Sequence, residues 1–401
     1  LVPETFDVPW MSRHQILTRL ATYYHVVWVN PVRNWRDVLR EPHRPRAIEG
    51  VRFALPPAGL SVYEAPPWLP QIHRPAFLER ALESASLRAA RNQLVRRGCT
   101  TIVLYVWRPV FVSTLDRVAH DLSLYHVVDE YSFSEVERPI ADAERALLTR
   151  VDRVFIHSPG LLEKKGDLNP KTSHLPNGVD FEAVSVEKPE PEDLSTIDHP
   201  RIGYCGWLKK QLDWELIGQL ARIHTDWNFV FVGARAQHPE LLSVLAELEA
   251  QPNVHFLGAK TPEELLGYPA HFDACIMPYR MDDYTKYIYP LKLHEYLASG
   301  RPVVARPIRT LLDFHEVVEL ATSTEEWSRA LARSLEPVSN TPERIEARRS
   351  IARAHDWNRI AYQVARAIAK DVEGETLRLF DAAPVPAEWR VAPEGWPPYD
   401  G

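Results

Sequence analysis

An alternation of short apolar runs with stretches of helical periodicity extends over nearly the whole chain, and few folds can accommodate it. HVVWVNP from His25, TTIVLYV from Thr100, SLYHVV from Ser123 and RVFIHS from Arg153 have strand length, as do RIGYCG from Arg201, NFVFVG from Asn228, NVHFLGA from Asn253, DACIMPY from Asp273 and PVVA from Pro302. Between them, residues 12–24, 74–97, 213–224, 239–248 and 324–335 place apolar side chains on one helical face. Strands that are apolar throughout are buried on both faces, and strands separated by helices run parallel. The fold class that follows is α/β: two Rossmann-like, doubly wound parallel-sheet domains with a cleft between them. The acidic, Pro-bearing, unpatterned stretch 187–200 reads as the linker. The domains then run 1–186 and 201–355, with 356–401 holding a last helix and a Pro-rich tail.

Composition removes several classes. No run of 18 apolar residues occurs and the N-terminus lacks a basic region followed by an apolar core, so a soluble, cytoplasmic protein is expected; Leu1 in first place suggests a trimmed start. Cys99, Cys205 and Cys275 stand far apart without C-x-x-C spacing, which suits buried free thiols rather than a zinc site. The net charge of −7 is uneven, because the first hundred residues carry fourteen Arg, no Lys and eight acids. Arg33, Arg36, Arg40, Arg44 and Arg46, with Trp35 among them, suit peripheral contact with an anionic inner-membrane face or a lipid-diphosphate acceptor, and equally a solvated loop. Nucleic acid is disfavoured by the overall acidity and the lack of a basic-aromatic recognition motif.

The segment YIYPLKLHEYLASGRPVVAR, residues 287–306, is the most chemically specific. Pro290 fits a first helical turn, Leu291, Leu293, Leu297 and Ala298 give the helix a buried side, and Gly300 ends it before a short strand. Lys292 and Glu295 lie three apart near the helix start, where free N–H groups and the positive dipole end favour a phosphate. A solvated i,i+3 ion pair is the competing explanation of the same spacing. Upstream, Gly206 follows the first strand of the second domain in a turn that brings backbone to a diphosphate, with Lys209 and Lys210 adding charge.

The order of residues 287–306 resembles the donor-site helix of nucleotide-sugar glycosyltransferases with the GT-B fold. In that bacterial group a Glu-x7-Glu motif precedes Ala-x-Gly-x-Pro-Val-Val; Glu295 matches the second Glu, and Ala298, Gly300, Pro302, Val303 and Val304 match the tail. Tyr287 stands where the first Glu is expected, and Pro290-Leu291-Lys292 is similar to a subgroup of teichuronic-acid and exopolysaccharide transferases. The resemblance implies ribose on Glu295, diphosphate near Lys292 and the Gly206 turn, and the base near Leu257 to Ala259, including Gly258. Tyr279, Arg280, Asp282, Asp283 and Thr285 become the expected sugar contacts. No Asp-x-Asp motif is present, so the resemblance implies a metal-independent hexosyl transfer without a cofactor, a UDP-sugar being preferred to a GDP-sugar.

On the acceptor side, Arg13, His14 and Gln15 at a helix start and Arg108 at a strand end are implied to line the cleft. Asp129 and Glu130 close the strand from Ser123, and a carboxylate there can be the general base for an acceptor hydroxyl or, equally, a helix cap. The function implied is sugar transfer from a nucleotide-diphosphate sugar to a saccharide, lipid-linked saccharide or small molecule in surface-polysaccharide synthesis. The alternatives are a GT-B nucleotide-sugar epimerase and a non-catalytic nucleotide-sugar-binding scaffold.

Overall fold

The structure, a computed structural model, describes residues 1–8, 10–40, 56–71, 74–134 and 136–372. Arg44, Arg46 and the tail after Glu373 lie outside the described residues. Two compact units are present, one formed by Leu1–His157, Leu161–Pro176 and the chain from Asn358, the other by Ser158–Gly160 and Asn177–Trp357.

In the first unit, strands β1 (Val26–Val29) and β2 (Leu60–Tyr63) form a parallel pair. Strands β3 (Val103–Val106), β4 (Leu122–Val127), β5 (Arg153–Ile156) and β6 (Thr172–His174) form a parallel sheet in that order. Every residue of β4 and β5 is buried, as continuous apolar runs demand. Helices α1 (Ser12–Leu20), α2 (Ala76–Arg96), α3 (Asp142–Arg150) and α4 (Pro159–Lys165) connect them. After β3 the chain forms a 3-10 segment, Pro109–Asp116. An apolar cavity of about 210 Å³, lined by Leu17, Trp28, Leu87, Leu104 and Ile368 among others, lies within this unit.

The second unit holds one six-stranded sheet built from β7 (Arg201–Cys205), β8 (Asn228–Val232), β9 (Val254–Gly258), β10 (Ala274–Met277), β11 (Val303–Ala305) and β12 (Glu319–Leu320). Its strand order is β9-β8-β7-β10-β11-β12 and all pairs are parallel. The order reverses between β7 and β10, which makes their carboxyl ends a topological switch point, the place where open α/β sheets take ligands. Helices α5 (Trp214–Ile223), α6 (Pro239–Glu249), α7 (Lys292–Ser299), α8 (Thr324–Leu335) and α9 (Pro342–Ala354) complete the unit. Gly300 has φ 81°, the left-handed conformation foreseen for the end of α7.

Two boundaries differ from expectation. The stretch 187–200 is not a free linker: it contains a helical turn, Glu192–Ser195, with Leu194 and Ile197 in the second unit's core. Asp193 is tied to Lys260 at 2.7 Å and to the Tyr268 hydroxyl at 2.8 Å. Two apolar anchors suffice to seat an otherwise acidic stretch. The units divide instead at Pro176/Asn177 and at Trp357/Asn358. Helix α10 (Trp357–Asp371) contributes to the first unit, where the Tyr24 hydroxyl donates to the Ala365 carbonyl at 2.8 Å and Arg153 pairs with Asp371 at 2.6 Å.

Candidate active site

At the switch point of the second unit the backbone is shaped around Lys292. Gly206, directly after β7, has φ 126°, and a Cβ there would meet Lys292 Cε at 2.4 Å and Nζ at 2.6 Å. The ammonium therefore lies on the bare face of that glycine, 5.1 Å from the centroid of the Tyr204 ring beneath it. Gly233, after β8, is as tightly constrained, since a Cβ there would meet the Gly206 carbonyl oxygen at 2.1 Å. The Gly206 N–H donates to Val232 O at 2.7 Å, which fixes the turn.

Helix α7 is clamped to the same turn. Tyr296 is fully buried, and its hydroxyl accepts the Cys205 N–H at 2.8 Å. Leu291 is the N-cap and no side chain caps the helix; Pro290 stands one residue before it, outside the helix proper, with its carbonyl accepting Leu293 N–H at 3.3 Å. Lys292 and Glu295 do not join in an ion pair, so the solvated-pair explanation of their spacing does not describe this helix. Burial pushes the Glu295 carboxyl up, and Lys292 draws it partly back.

The other expected donor residues divide into two groups. Lys209, Lys210 and Arg280 are exposed, and Arg280 N–H donates to Gln211 O at 2.8 Å. Leu257 is half-buried and Gly258 is exposed with φ 74° at the end of β9. Four others are occupied structurally. Thr285 is buried, and its hydroxyl donates to Arg280 O at 2.7 Å and accepts Asp282 N–H at 3.1 Å. Asp282 Oδ1 in turn accepts the N–H groups of Tyr284 and Thr285 at 3.0 and 2.8 Å, so both side chains close their own loop; Asp283 is exposed there. Tyr279 packs in the core, and burial raises its phenol far above the ordinary range. Tyr287 is buried against Gly160, where an added Cβ would lie 3.4 Å from its ring, and its carbonyl accepts the Ser158 hydroxyl at 2.7 Å.

In the first unit the acceptor-side residues also divide. His14 is fully buried, 4.5 Å from Trp28 and 5.7 Å from Phe6 between ring centroids; burial, then Arg13, pushes its imidazole down to about 4. It is a neutral core histidine. Gln15 accepts from Arg19 at 2.5 Å, and Arg19 reaches Asn358 at 3.0 Å, so Gln15 belongs to the seat of α10. Arg13 is buried and pairs with Glu4 at 2.7 Å, while its Nε and Nη1 have no hydrogen-bond partner among the described residues. Arg108 is half-buried, 5.0 Å from the centroid of the Tyr131 ring. Asp129, half-buried after β4, accepts Glu130 N–H at 2.8 Å. Glu130 cannot be a solvent-reaching base: its side chain is fully buried and Lys165 lies 3.1 Å from it. A carboxylate so enclosed has no route to an acceptor proton.

Sequence reasoning passed over Tyr204, Tyr296, Gly233 and Trp207. The first two read as strand and helix core, and Gly233 as a turn; only tertiary packing reveals that they hold Lys292 and Gly206 in place. Trp207 is 52% exposed, directly after Gly206, and its one signal is a large aromatic beside a glycine turn.

Residues 199–337 match the family described as glycosyl transferases group 1. TuaH of Bacillus subtilis (strain 168), a glycosyltransferase assigned by inference to teichuronic acid biosynthesis, is 30% identical over 273 residues, 66% of this chain and 67% of that protein. Among solved structures, the E. coli trehalose-6-phosphate protein bound with UDP-2-fluoro glucose superposes with a TM-score of 0.65 at 10% identity, covering 92% of this chain and 98% of that one. The alpha,alpha-trehalose 6-phosphate synthase of Burkholderia multivorans gives 0.60 at 12% identity, over 91% and 98%. These structures establish the GT-B fold.

Proposed function

This chain belongs to the group 1 glycosyl transferases, and from that premise we propose which residues move a sugar from a nucleotide-diphosphate donor to an acceptor hydroxyl. The observation that carries the reading is the seat of Lys292 on the bare face of Gly206 at the switch point. Donor diphosphate lies against the Gly206 turn and the open end of α7, with Lys292 taking up the charge that grows on the leaving group. Glu295 accepts from ribose hydroxyls. Lys209, Lys210 and Arg280 line the approach, and the base rests by Leu257 and Gly258. We favour a UDP-hexose, and a transfer in which Lys292 and backbone dipoles do what a metal does elsewhere.

In the first unit Asp129 takes the proton of the acceptor hydroxyl as that oxygen bonds to the sugar's anomeric carbon, while the bond to the diphosphate breaks and the nucleotide leaves with its electrons. Arg13 and Arg108 support the acceptor. The acceptor class is a growing anionic surface polysaccharide or its lipid-linked precursor, a reading supported by kinship with TuaH. Among the described residues no helix is long and apolar enough to cross a membrane. Peripheral contact is supported by Trp35, Leu39, Trp68 and Phe77, all exposed, with Trp35 N–H donating to Gln71 O at 3.2 Å and Arg36 5.3 Å from the Trp35 ring. Co-sedimentation with phosphatidylglycerol vesicles, but not phosphatidylcholine, is expected; equal recovery from both would refute it.

Calorimetry and donor hydrolysis test the main reading together. A UDP-hexose should bind and slowly release UDP in the presence of EDTA. Binding without release would support the scaffold, conversion of the sugar without release the epimerase, and loss of turnover in EDTA a metal-assisted route.

A further inference from the structure

The carboxylate denied a catalytic role has an unusual setting. Lys165 Nζ is fully buried, 2.7 Å from Glu144 Oε1 and 3.1 Å from Glu130 Oε2, and Lys164 Nζ lies 3.3 Å from that same Glu130 oxygen. Glu130 Oε1 accepts Ser132 N–H at 2.8 Å. The Ser132 hydroxyl donates to Glu144 Oε2 at 3.5 Å and accepts Ala141 N–H at 3.1 Å, while the Tyr125 hydroxyl donates to Glu144 Oε1 at 3.3 Å. Residues from β4, α3 and α4 thus converge on a four-residue turn, 129–132, and the turn's first residue is Asp129, bonded to the N–H of Glu130.

Stability alone explains this poorly. Buried ion pairs are commonly matched or bettered by apolar side chains of similar volume, because desolvation consumes most of the Coulombic gain. What such a network supplies is a fixed geometry and a fixed field at the turn it encloses. We propose that Glu130, Lys165, Lys164 and Glu144 are positioning residues that hold Asp129 in place and set the charge it experiences, an inference that rests on the reading of Asp129 as the group receiving the acceptor's proton. Arg13 on α1 and Tyr131 in the same turn are within electrostatic range of Asp129, and Arg108, after β3, is within range of both Arg13 and Tyr131. The network lies behind, with Lys164 and Lys165 on α4 and Glu144 on α3. Lys165 also lies 5.7 Å from the Tyr131 ring centroid and Arg108 5.0 Å from it, so two cations approach that ring.

The test uses the pH dependence of turnover in the full chain, with donor affinity measured in parallel. Glu130→Gln keeps shape and removes a negative charge, so the acid limb of the rate profile should move down by about one pH unit. Lys164→Met removes a positive charge from the partly exposed edge of the network, where folding is least at risk, and should move the limb up. Turnover should fall about 10-fold or more in Glu130→Gln while donor affinity stays within about 2-fold. A purely structural network would lower activity in both variants without shifting the limbs in opposite directions, and that result overturns the proposal. Asp129→Asn separates this failure from that of the underlying reading. Lost turnover in Asp129→Asn with unmoved limbs in the other two leaves Asp129 catalytic and refutes the network's role; unchanged turnover in Asp129→Asn refutes both.

Discussion

Gly206→Ala tests the donor site at its tightest point. Two costs are built into the position. The backbone at φ 126° lies outside the regions that L side chains adopt readily, a strain of order 1–3 kcal/mol. The new methyl would also stand 2.6 Å from Lys292 Nζ and 2.4 Å from Cε, whereas ordinary contact needs about 3.5 Å, so the ammonium must shift by about 1 Å. Because that end of the side chain is flexible, the shift is cheap in stability but displaces the charge from the diphosphate. A charge-assisted contact is worth about 1.5–3 kcal/mol, so donor affinity should fall about 10- to 100-fold. Urea melts would isolate the strain and calorimetry with UDP the affinity. The decisive comparison is a double-mutant cycle with Lys292→Ala. If the methyl acts by moving the ammonium, Gly206→Ala costs little further affinity once Lys292 is gone. Additive losses, or an unchanged affinity for UDP in Gly206→Ala alone, would refute the placement of phosphate on this turn.

Lys292→Ala by itself should weaken UDP binding by about 10- to 100-fold with the melting temperature nearly unchanged, since the residue is half-buried and has no ion-pair partner among the described residues; equal affinity by calorimetry removes it from the site. Asp371→Asn should cost about 3–5 kcal/mol at neutral pH, because the buried Arg153 would lose its main partner. Although burial opposes it, bonding to Arg153 and Lys171 holds the Asp371 carboxyl below its ordinary 3.8, so this stabilisation is complete above that value and lost as pH falls through the lower folded one. Urea melts of parent and mutant should therefore draw together as pH falls below 3.8, and a constant gap would contradict the assignment. His294 is enclosed between Tyr289, at 2.8 Å, and His355, whose ring centroid is 4.1 Å away; burial, then His355, holds its imidazole well below 6.5. Its contribution is present above 6.5 and lost below, so His294→Gln should flatten the loss of stability between pH 7 and pH 5, and an unchanged slope would count against it.

The fold was legible because the apolar runs are continuous and the helices between them periodic, and both signals survive without tertiary information. The site was legible only in part. Lys292 and Gly206 could be paired in advance by kinship, but what joins them is the missing Cβ of Gly206 and the hydroxyl of Tyr296, contacts between residues ninety positions apart that no local pattern records. His14, Gln15 and Thr285 were misjudged for one reason. A polar side chain near a strand end or helix start looks the same in sequence whether it faces a ligand or satisfies its own fold, and these three are occupied by stacking, by Arg19 and by the 280–285 loop. The stretch 187–200 failed differently, since its acidic surface concealed Leu194 and Ile197.

Tyr287 bears on whether turnover has been lost. Read from sequence, a tyrosine in place of the first motif glutamate keeps open the alternative of a protein that binds donor without using it. The position is buried against Gly160, with the Tyr287 carbonyl engaged by Ser158, so the residue here serves to seat the 285–287 segment. A carboxylate in that enclosure would have to be desolvated, at a cost of several kcal/mol unless paired. In the proposed reading the requirements of transfer fall on other residues, with Lys292 assigned to the phosphate and Glu295, one turn along the same helix, to the ribose. The Tyr287 position is thus accounted for by local packing, and the case for or against catalysis rests on whether a bound UDP-hexose releases UDP.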